Sequence, residues 1–511
     1  ALICCSGSLL GLECGQHLKW RFLPAGLSGW FIWLVIYFRI LLFMLNPDFS
    51  IFNDNMFVQV RKILDPLSIK TNLSPLNLTI GEPQIPPPEW LARVLIEESG
   101  NWQSYPKAFA SERFLDDLSQ YFANRFPSVA HSFAFADHIV PVPGTREPLH
   151  LLGYCVKGAK ENSAALVSNP FYHAWRAGAL ASGGEIIYLN ATANTGFLAD
   201  LDIIDEAVLA RTSILYLCNP TNPHGAIASR AYIEKAISLA RAHNFLLVMD
   251  ECYIDIWRRQ KPLSALEVAA SMAENDASDK DIFANLIVLN SLSKRSSAAG
   301  LRAGFLCGDR RAIAAYKQIV ANGGALVPTP LLHAAGALYR DEAHNQQIRA
   351  HYDTSFDLLR QQLEINVPDG GFFLWLAVPD ALGGDDKEMA KQLYQQAGIS
   401  AIPGSVMATT SEQINLRAHL LGAQHLLAVY AVTAPERPAG LQFTQMRVCQ
   451  RGKDVAGLEV ALNAIGRDAF ADDVAAFGHQ PGDEIRRVPA IAAFNGLQAG
   501  IQPVHHLPAI A

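Results

Sequence analysis

Five short apolar runs, "AALVSNP", "EIIYLN", "SILYLCNP", "FLLVMDE" and "LIVLNS", follow one another between residues 164 and 291, several ending at Asn, Asp or Pro. They show no apolar–polar alternation, so they read as strands covered on both faces. The stretches between them, such as "AYIEKAISLARAHN", carry apolar residues at helical spacing. Strands alternating with helices predict an α/β domain with a mostly parallel central sheet flanked by helices. Sheets of this kind gather ligands beyond the carboxyl ends of their strands, where these runs place polar residues.

The rest of the chain divides around that core. "MFVQVRKIL" predicts a short amphipathic helix, and "LNLTIGEPQIPPPEW" a strand running into a turn. "SERFLDDLSQYFANRF" reads as a helix, and "HIVPVPGTREPLHLLGYCV" as strand, glycine turn and helix. "DEAHNQQIRAHYDTSFDLLRQQL" is a long helix, followed in "GGFFLWLAV" by a strand of a smaller α+β domain. The expected division is a large domain over residues 91–339 and a small one from 44–90 and 340–416. An apolar leader (1–43) and an unmatched tail (417–511) are expected to lie outside the fold. No internal repeat or low-complexity segment interrupts this order.

With 511 residues, half of them hydrophobic, the chain can build two cores. A net charge of −7 and the lack of a dense basic run argue against a nucleic-acid partner. The eight cysteines show no zinc-ligand spacing, and Cys155, Cys218, Cys252 and Cys307 sit in apolar settings. Reduced core cysteines, no metal and a cytoplasmic compartment are expected. Residues 29–45 approach the length of a minimal membrane span but contain Arg39, and they run into Met44, the first methionine. They are expected to be upstream sequence rather than a working membrane segment.

Four strand ends offer chemistry. "VLNSLSK" supplies Ser291 and Lys294, "VMDECY" supplies Asp250 and Tyr253, "YLCNPTNPHG" supplies Asn222, and "VPVPGTRE" supplies Gly144, Thr145 and Arg146. Together they suit pyridoxal phosphate. That cofactor needs an amine for covalent attachment, a carboxylate at its ring nitrogen, donors on its ring oxygen and a cradle for its phosphate.

The order and spacing of these motifs resemble those of the fold-type I, class I/II aminotransferases, over roughly residues 44–415. "SLSK" followed by "GLRAG" places Arg302 eight residues after Lys294, "NPTNPHGA" is similar to the family's asparagine–proline motif, and "DECY" to its aspartate–tyrosine pair. The resemblance implies that Lys294 bonds the cofactor and shuttles a proton, and that Asp250 pairs with the ring nitrogen and is pulled low by that cation. It implies that Tyr253 and Asn222 hold the ring oxygen. Thr145, the N–H groups of Thr145 and Arg146 beside Gly144, Ser291 and Arg302 would hold the phosphate. Tyr172 would stack on the ring, with Phe171 as the rival. Tyr105 would reach the phosphate of a neighbouring subunit, which implies a homodimer. Gly81 would approach the substrate carboxylate.

Within the family, "NSLSKRS", "MDECYIDIW", "SNPFYHAW" and "GEPQIPPPEWL" are most similar to the N-succinyldiaminopimelate aminotransferases. The implied reaction moves an amino group between glutamate and N-succinyl-2-amino-6-oxopimelate, in lysine and diaminopimelate biosynthesis. Family members also carry a carboxylate-binding arginine in a strand after the "PGS" turn. Here the pattern is lost near Asn415, as a shifted reading frame or a fused tail would produce, and Arg417 comes too early. Ala110 and Phe114–Leu115 also depart from the family near Tyr105. The alternatives left open are an aminotransferase for another amino acid, or a non-catalytic remnant that binds the cofactor.

Overall fold

The computed structural model describes residues 55–409, apart from 73, 107–108, 132, 274–280 and 364–365, and the backbone of strands Cys4–Cys5, Ser8–Glu13, Lys19–Phe22 and Leu426–Tyr430. Seven strands form the central sheet: β1 Ile139–Val142, β2 Ala164–Asn169, β3 Glu185–Asn190, β4 Thr212–Cys218, β5 Leu246–Asp250, β6 Leu286–Ser291 and β7 Gly304–Gly308. Their order is β1-β7-β6-β5-β4-β2-β3. β2 to β6 pair in parallel, and β7 runs antiparallel to both its neighbours. The chain between β6 and β7 forms a one-turn helix and a 3-10 turn instead of a covering crossover helix, so β7 returns antiparallel beside β6.

Every residue of β1, β4, β5, β6 and β7 is buried. Alternation divides them between two cores. Leu215, Leu217, Leu247, Met249 and Val288 enter one, and Ile214, Tyr216, Leu246, Val248 and Leu289 the other.

The helices that position the site are α1 Met56–Leu64, α2 Glu112–Arg125, α3 Arg146–Cys155, α4 His173–Ala181, α5 Arg230–Ala242, α6 Ala265–Ala273, α7 Leu292–Arg295, α8 Thr329–Arg340, α9 Glu342–Leu363 and α10 Asp386–Ala397. α2 shows why such segments become helical. Ser111 caps its start by accepting from Phe114 N at 3.2 Å, and Phe114, Leu118, Tyr121, Phe122 and Arg125 fall on one buried stripe. Phe122 is fully buried among Phe126, Phe133, Phe135 and Phe305, so truncation to alanine costs about 3–5 kcal/mol. α3 and α4 approach backbone to backbone at Gly153 and Gly178, where a Cβ would strike a carbonyl of the other helix.

The smaller unit contains β8, Phe373–Ala377, which pairs antiparallel with Leu426–Tyr430; that strand pairs in turn with Ile402–Pro403. Leu76–Asn77 pairs in parallel with Ile399–Ser400, bringing the segment after α1 to this unit. A strand therefore does run beyond Asn415, where the sequence shows none of the family's arginine-bearing pattern. Its apolar residues "LLAVY" suit a strand but include no arginine. Arg417 and residues 29–45 lie outside the described residues. Among the described residues, no helix is long and apolar enough to cross a membrane.

Candidate active site

The sheet register converts the strand ends into a cleft. Asp250 lies beside Cys218 of β4 and Leu289 of β6, while Ser291 pairs with Gly304 and Gly304 with Val142. Turns after β1, β2, β4, β5 and β6 therefore emerge at one edge. β7 is reversed, so the residues entering it join them, and Arg302 arrives there two residues before β7 begins. The resulting cleft, of about 420 Å³, is lined by Gly81, Thr145, Arg146, Tyr172, Asn222, Asp250, Tyr253, Ser291, Lys294 and Arg302, among others.

Lys294 stands on α7, whose start is set by Ser291: its Oγ accepts from Ser293 N at 3.2 Å and donates to Ser293 Oγ at 2.9 Å. The lysine Nζ donates to the Gly81 carbonyl and lies 5.7 Å and 5.9 Å from the ring centroids of Phe372 and Tyr253. Burial, aided by the charges of Arg302 and Arg146, pushes this amine below the ordinary lysine value, although Cys252 and Glu82 oppose the shift. A larger neutral fraction makes it a better nucleophile.

Asp250 closes the floor, 2 % exposed. Trp175 Nε1 donates to its Oδ2 at 3.1 Å, and Cys252 N to its Oδ1 at 3.3 Å. The protein alone pushes this carboxyl up, because burial outweighs those donors and Lys294. The low value inferred from sequence needs the cofactor's cation as well. Tyr253 is buried and packs edge-on against Phe373, ring centroids 4.7 Å apart. Asn222 is carried on a loop tied by Ala228 N to Asn219 Oδ1 at 3.0 Å and Thr221 N to Ala226 O at 2.8 Å.

At the other end, α3 begins after Gly144, with Thr145 as its N-cap. Gly144 has φ +79°, and a Cβ there would lie 3.1 Å from the Arg302 guanidinium carbon and closer still to one of its nitrogens. Arg302 itself adopts φ 54°; its guanidinium donates to Ala299 O at 2.8 Å and Pro143 O at 3.1 Å. The N–H groups of a helix start, a close guanidinium and the nearby Ser291 hydroxyl could hold an anion.

The structure brings Tyr172 to the cleft and sends Phe171 into the core against Tyr188, centroids 5.3 Å apart. Tyr105 is 95 % exposed and lines no part of this cleft. Sequence reasoning missed Trp175, Phe372, Glu82, Cys252 and His173. Trp175 had a signal, since it stands one helical turn after Tyr172; Phe372 had none, because only the fold brings "GGFF" to the lysine. Burial, with the charges of Arg146 and Arg176, pushes His173 down to about 4, so it is neutral near pH 7. Cys155, Cys218, Cys252 and Cys307 are free thiols. Among the described residues, no group of three or more His, Cys, Asp or Glu could hold a metal ion.

Behind the lysine lies a buried charge network. Arg295 is 2 % exposed, donates to Tyr339 O at 2.7 Å and approaches Asp255 at 3.6 Å. Asp255 also accepts from Arg125 Nε at 2.9 Å and Tyr121 OH at 2.8 Å. Burial would raise Asp255, but Arg295, Arg125 and Tyr121 hold it below the usual carboxylate range.

A profile of the family described as aminotransferase class I and II matches residues 71–423, more than half of the chain. The chain belongs to that family. It is a pyridoxal-phosphate-dependent aminotransferase of the fold-type I architecture. The aminotransferase is 27 % identical over 361 residues to LL-diaminopimelate aminotransferase 2 from Trichormus variabilis, covering 68 % of this chain and 87 % of that one. The crystal structure of an aminotransferase from Neisseria meningitidis superposes with a TM-score of 0.67 at 26 % identity, covering 84 % of this chain and 99 % of that one. A probable N-succinyldiaminopimelate aminotransferase from Thermus thermophilus gives 0.60 at 21 % identity, covering 80 % and 98 %, a likeness of fold alone.

Proposed function

We propose that this aminotransferase moves an amino group between glutamate and N-succinyl-2-amino-6-oxopimelate, with the cofactor held in the cleft described above. The observation that carries the cofactor placement is that an amine, a buried carboxylate and an anion cradle, from distant parts of the chain, line one cleft. Bound there, pyridoxal phosphate supplies an electron sink that makes the substrate Cα–H acidic and stores the amino group between half-reactions.

The chain's own residues do the rest. The N–H groups at the start of α3, the Thr145 and Ser291 hydroxyls and Arg302 would hold the phosphate. Asp250 would hold the ring nitrogen, Tyr253 and Asn222 would hold the ring oxygen, and the Tyr172 ring would cover one face. Lys294 Nζ would be the amine that bonds the cofactor, and the same amine, lining the cleft, would move the proton at the substrate Cα. Gly81 and Asn222 meet the substrate carboxylate. Arg146 lines the same cleft with an exposed guanidinium, bonded to Tyr172 OH at 3.2 Å. That cation favours a substrate with a second acidic group, as glutamate and N-succinyl-2-amino-6-oxopimelate both have. A homodimer is part of this reading: Tyr105, Ile96 at 71 % exposure and Trp102 at 53 % are exposed apolar side chains that a second copy could cover.

The names of the similar relatives favour a second reading, amino transfer from LL-diaminopimelate itself. Purified protein loaded with pyridoxal phosphate decides between the two. Glutamate should bleach the visible band, and the initial rate with N-succinyl-LL-diaminopimelate should exceed that with LL-diaminopimelate. The reverse order supports the second reading. A band indifferent to every amino donor marks a non-catalytic binder.

A further inference from the structure

We propose that Trp175 is a positioning residue for Asp250, its indole N–H fixing the carboxylate that, on the reading above, grips the cofactor's ring nitrogen. An indole N–H can only donate, so the direction of the 3.1 Å bond to Oδ2 is unambiguous. Trp175 is 1 % exposed and Asp250 2 %, which makes this a desolvated, charge-assisted bond. The other donor to the carboxylate is Cys252, from Asp250's own turn. Trp175 reaches it from a different element, α4, and orients it against the sheet.

This partnership is selective. The indole nitrogens of Trp257 and Trp375 are also buried and have no hydrogen-bond partner, so this interior does not supply an acceptor to every tryptophan. The residue that precedes and caps α4 is the ring-covering tyrosine: Trp175 N donates to Tyr172 O at 2.9 Å, and their rings meet edge-on at 5.9 Å. One helical turn therefore sets the residue on the cofactor's face and the support of the residue at its edge.

The ionisable groups facing Asp250 are Lys294 from α7, Cys252 on its own turn, Cys218 from β4 and Tyr172 at the cap of α4. Burial pushes both thiols and the phenol up, so they stay neutral near pH 7 and add no charge beside Asp250. Without the indole donor, the carboxylate grips a protonated ring nitrogen less firmly. The ring then withdraws less charge from its link to Lys294.

The test uses full-length protein titrated with pyridoxal phosphate, comparing the unmodified chain, Trp175→Phe, and a chain with benzothienylalanine at 175. The last residue keeps the indole shape but replaces N–H with sulfur. Both changes are expected to weaken cofactor binding at least about tenfold and to move the pH midpoint of the visible band upward. Neither should weaken it further in an Asp250→Asn background. The proposal is overturned if the benzothienylalanine protein keeps the original affinity and midpoint, whatever its melting temperature. If the unmodified chain develops no visible band, the cofactor placement fails and this proposal with it. A normal band in the unmodified chain confines any failure to Trp175.

Discussion

Lys294 and Gly81 lie 213 residues apart in the chain, and the lysine Nζ donates a hydrogen bond to the glycine carbonyl. The amine is thus aimed across the cleft, from the turn after β6 to the loop that follows Leu76–Asn77, with Phe372 flanking it from a third segment. The first prediction concerns this amine. Lys294→Ala should leave the fold intact and abolish the borohydride-fixed cofactor adduct. Transamination should fall by more than about 10²-fold. Intact-protein mass spectrometry after reduction reads the adduct; an undiminished yield would refute the assignment.

The second prediction tests the cradle. Gly144→Ala places a methyl group against the Arg302 guanidinium and forces alanine to φ +79°, a strain of about 1–2 kcal/mol. Cofactor affinity should drop about tenfold or more, while Asp250 and Lys294 keep their surroundings. Equilibrium dialysis measures the change, and unaltered binding would place the phosphate elsewhere.

Arg146 carries the third. Arg146→Gln retains the backbone N–H of the cradle and removes the cation. The Michaelis constant for glutamate should rise about tenfold or more, with a smaller rise for a neutral amino donor such as alanine. Equal rises for both donors would assign Arg146 to holding Tyr172 OH alone.

Glu251, next to Asp250 in sequence, supplies a pH dependence. Burial pushes its carboxyl from 4.5 up to about 8, against the pull of the Ala265 N–H, which it accepts at 2.7 Å. The folded state therefore holds this proton where the unfolded chain has lost it. Stability from this group is greatest below about pH 4.5 and declines as pH rises toward 8. Glu251→Gln cannot ionise, so its melting temperature relative to the parent should climb across that window and level off above it. A difference independent of pH would show that Glu251 does not change protonation on folding.

The fifth prediction addresses the network behind the lysine. Asp255→Asn takes the shared carboxylate from the buried guanidiniums of Arg125 and Arg295, leaving Glu267 at 3.9 Å and Glu342 at 3.5 Å as their remaining ion-pair partners, a loss of about 3–5 kcal/mol. Chemical denaturation measures it. A loss under about 1 kcal/mol would show that the network behaves like a solvated surface pair.

Much of this arrangement was legible in the sequence because it depends on local pattern. The apolar runs became β2 to β6, and the polar residues that end β5 and β6, Asp250 and Ser291, line the cleft, since strand direction alone decides where a strand end points. The reversed β7 was not legible, because it follows from how little chain joins it to β6. Trp175 reads from sequence as one more core aromatic; its value lies in where a nitrogen points. Arg295 looks like a solvated neighbour of Lys294 until Asp255, forty residues upstream, is seen against it. The finer substrate is not written in any one motif, since side-chain selectivity depends on shape more than on motif.

Arg295 follows Lys294 directly, and α7 is a single turn, so the reactive amine has little scaffold of its own. It inherits its position from a guanidinium locked to Asp255 and the Tyr339 carbonyl, while Asn345 donates to the backbone of both Arg295 and Asp255. A library of random variants screened for dead enzyme should therefore return hits at Tyr121, Arg125 and Asn345, none of which lines the cleft. Those positions form the keel of the reactive turn.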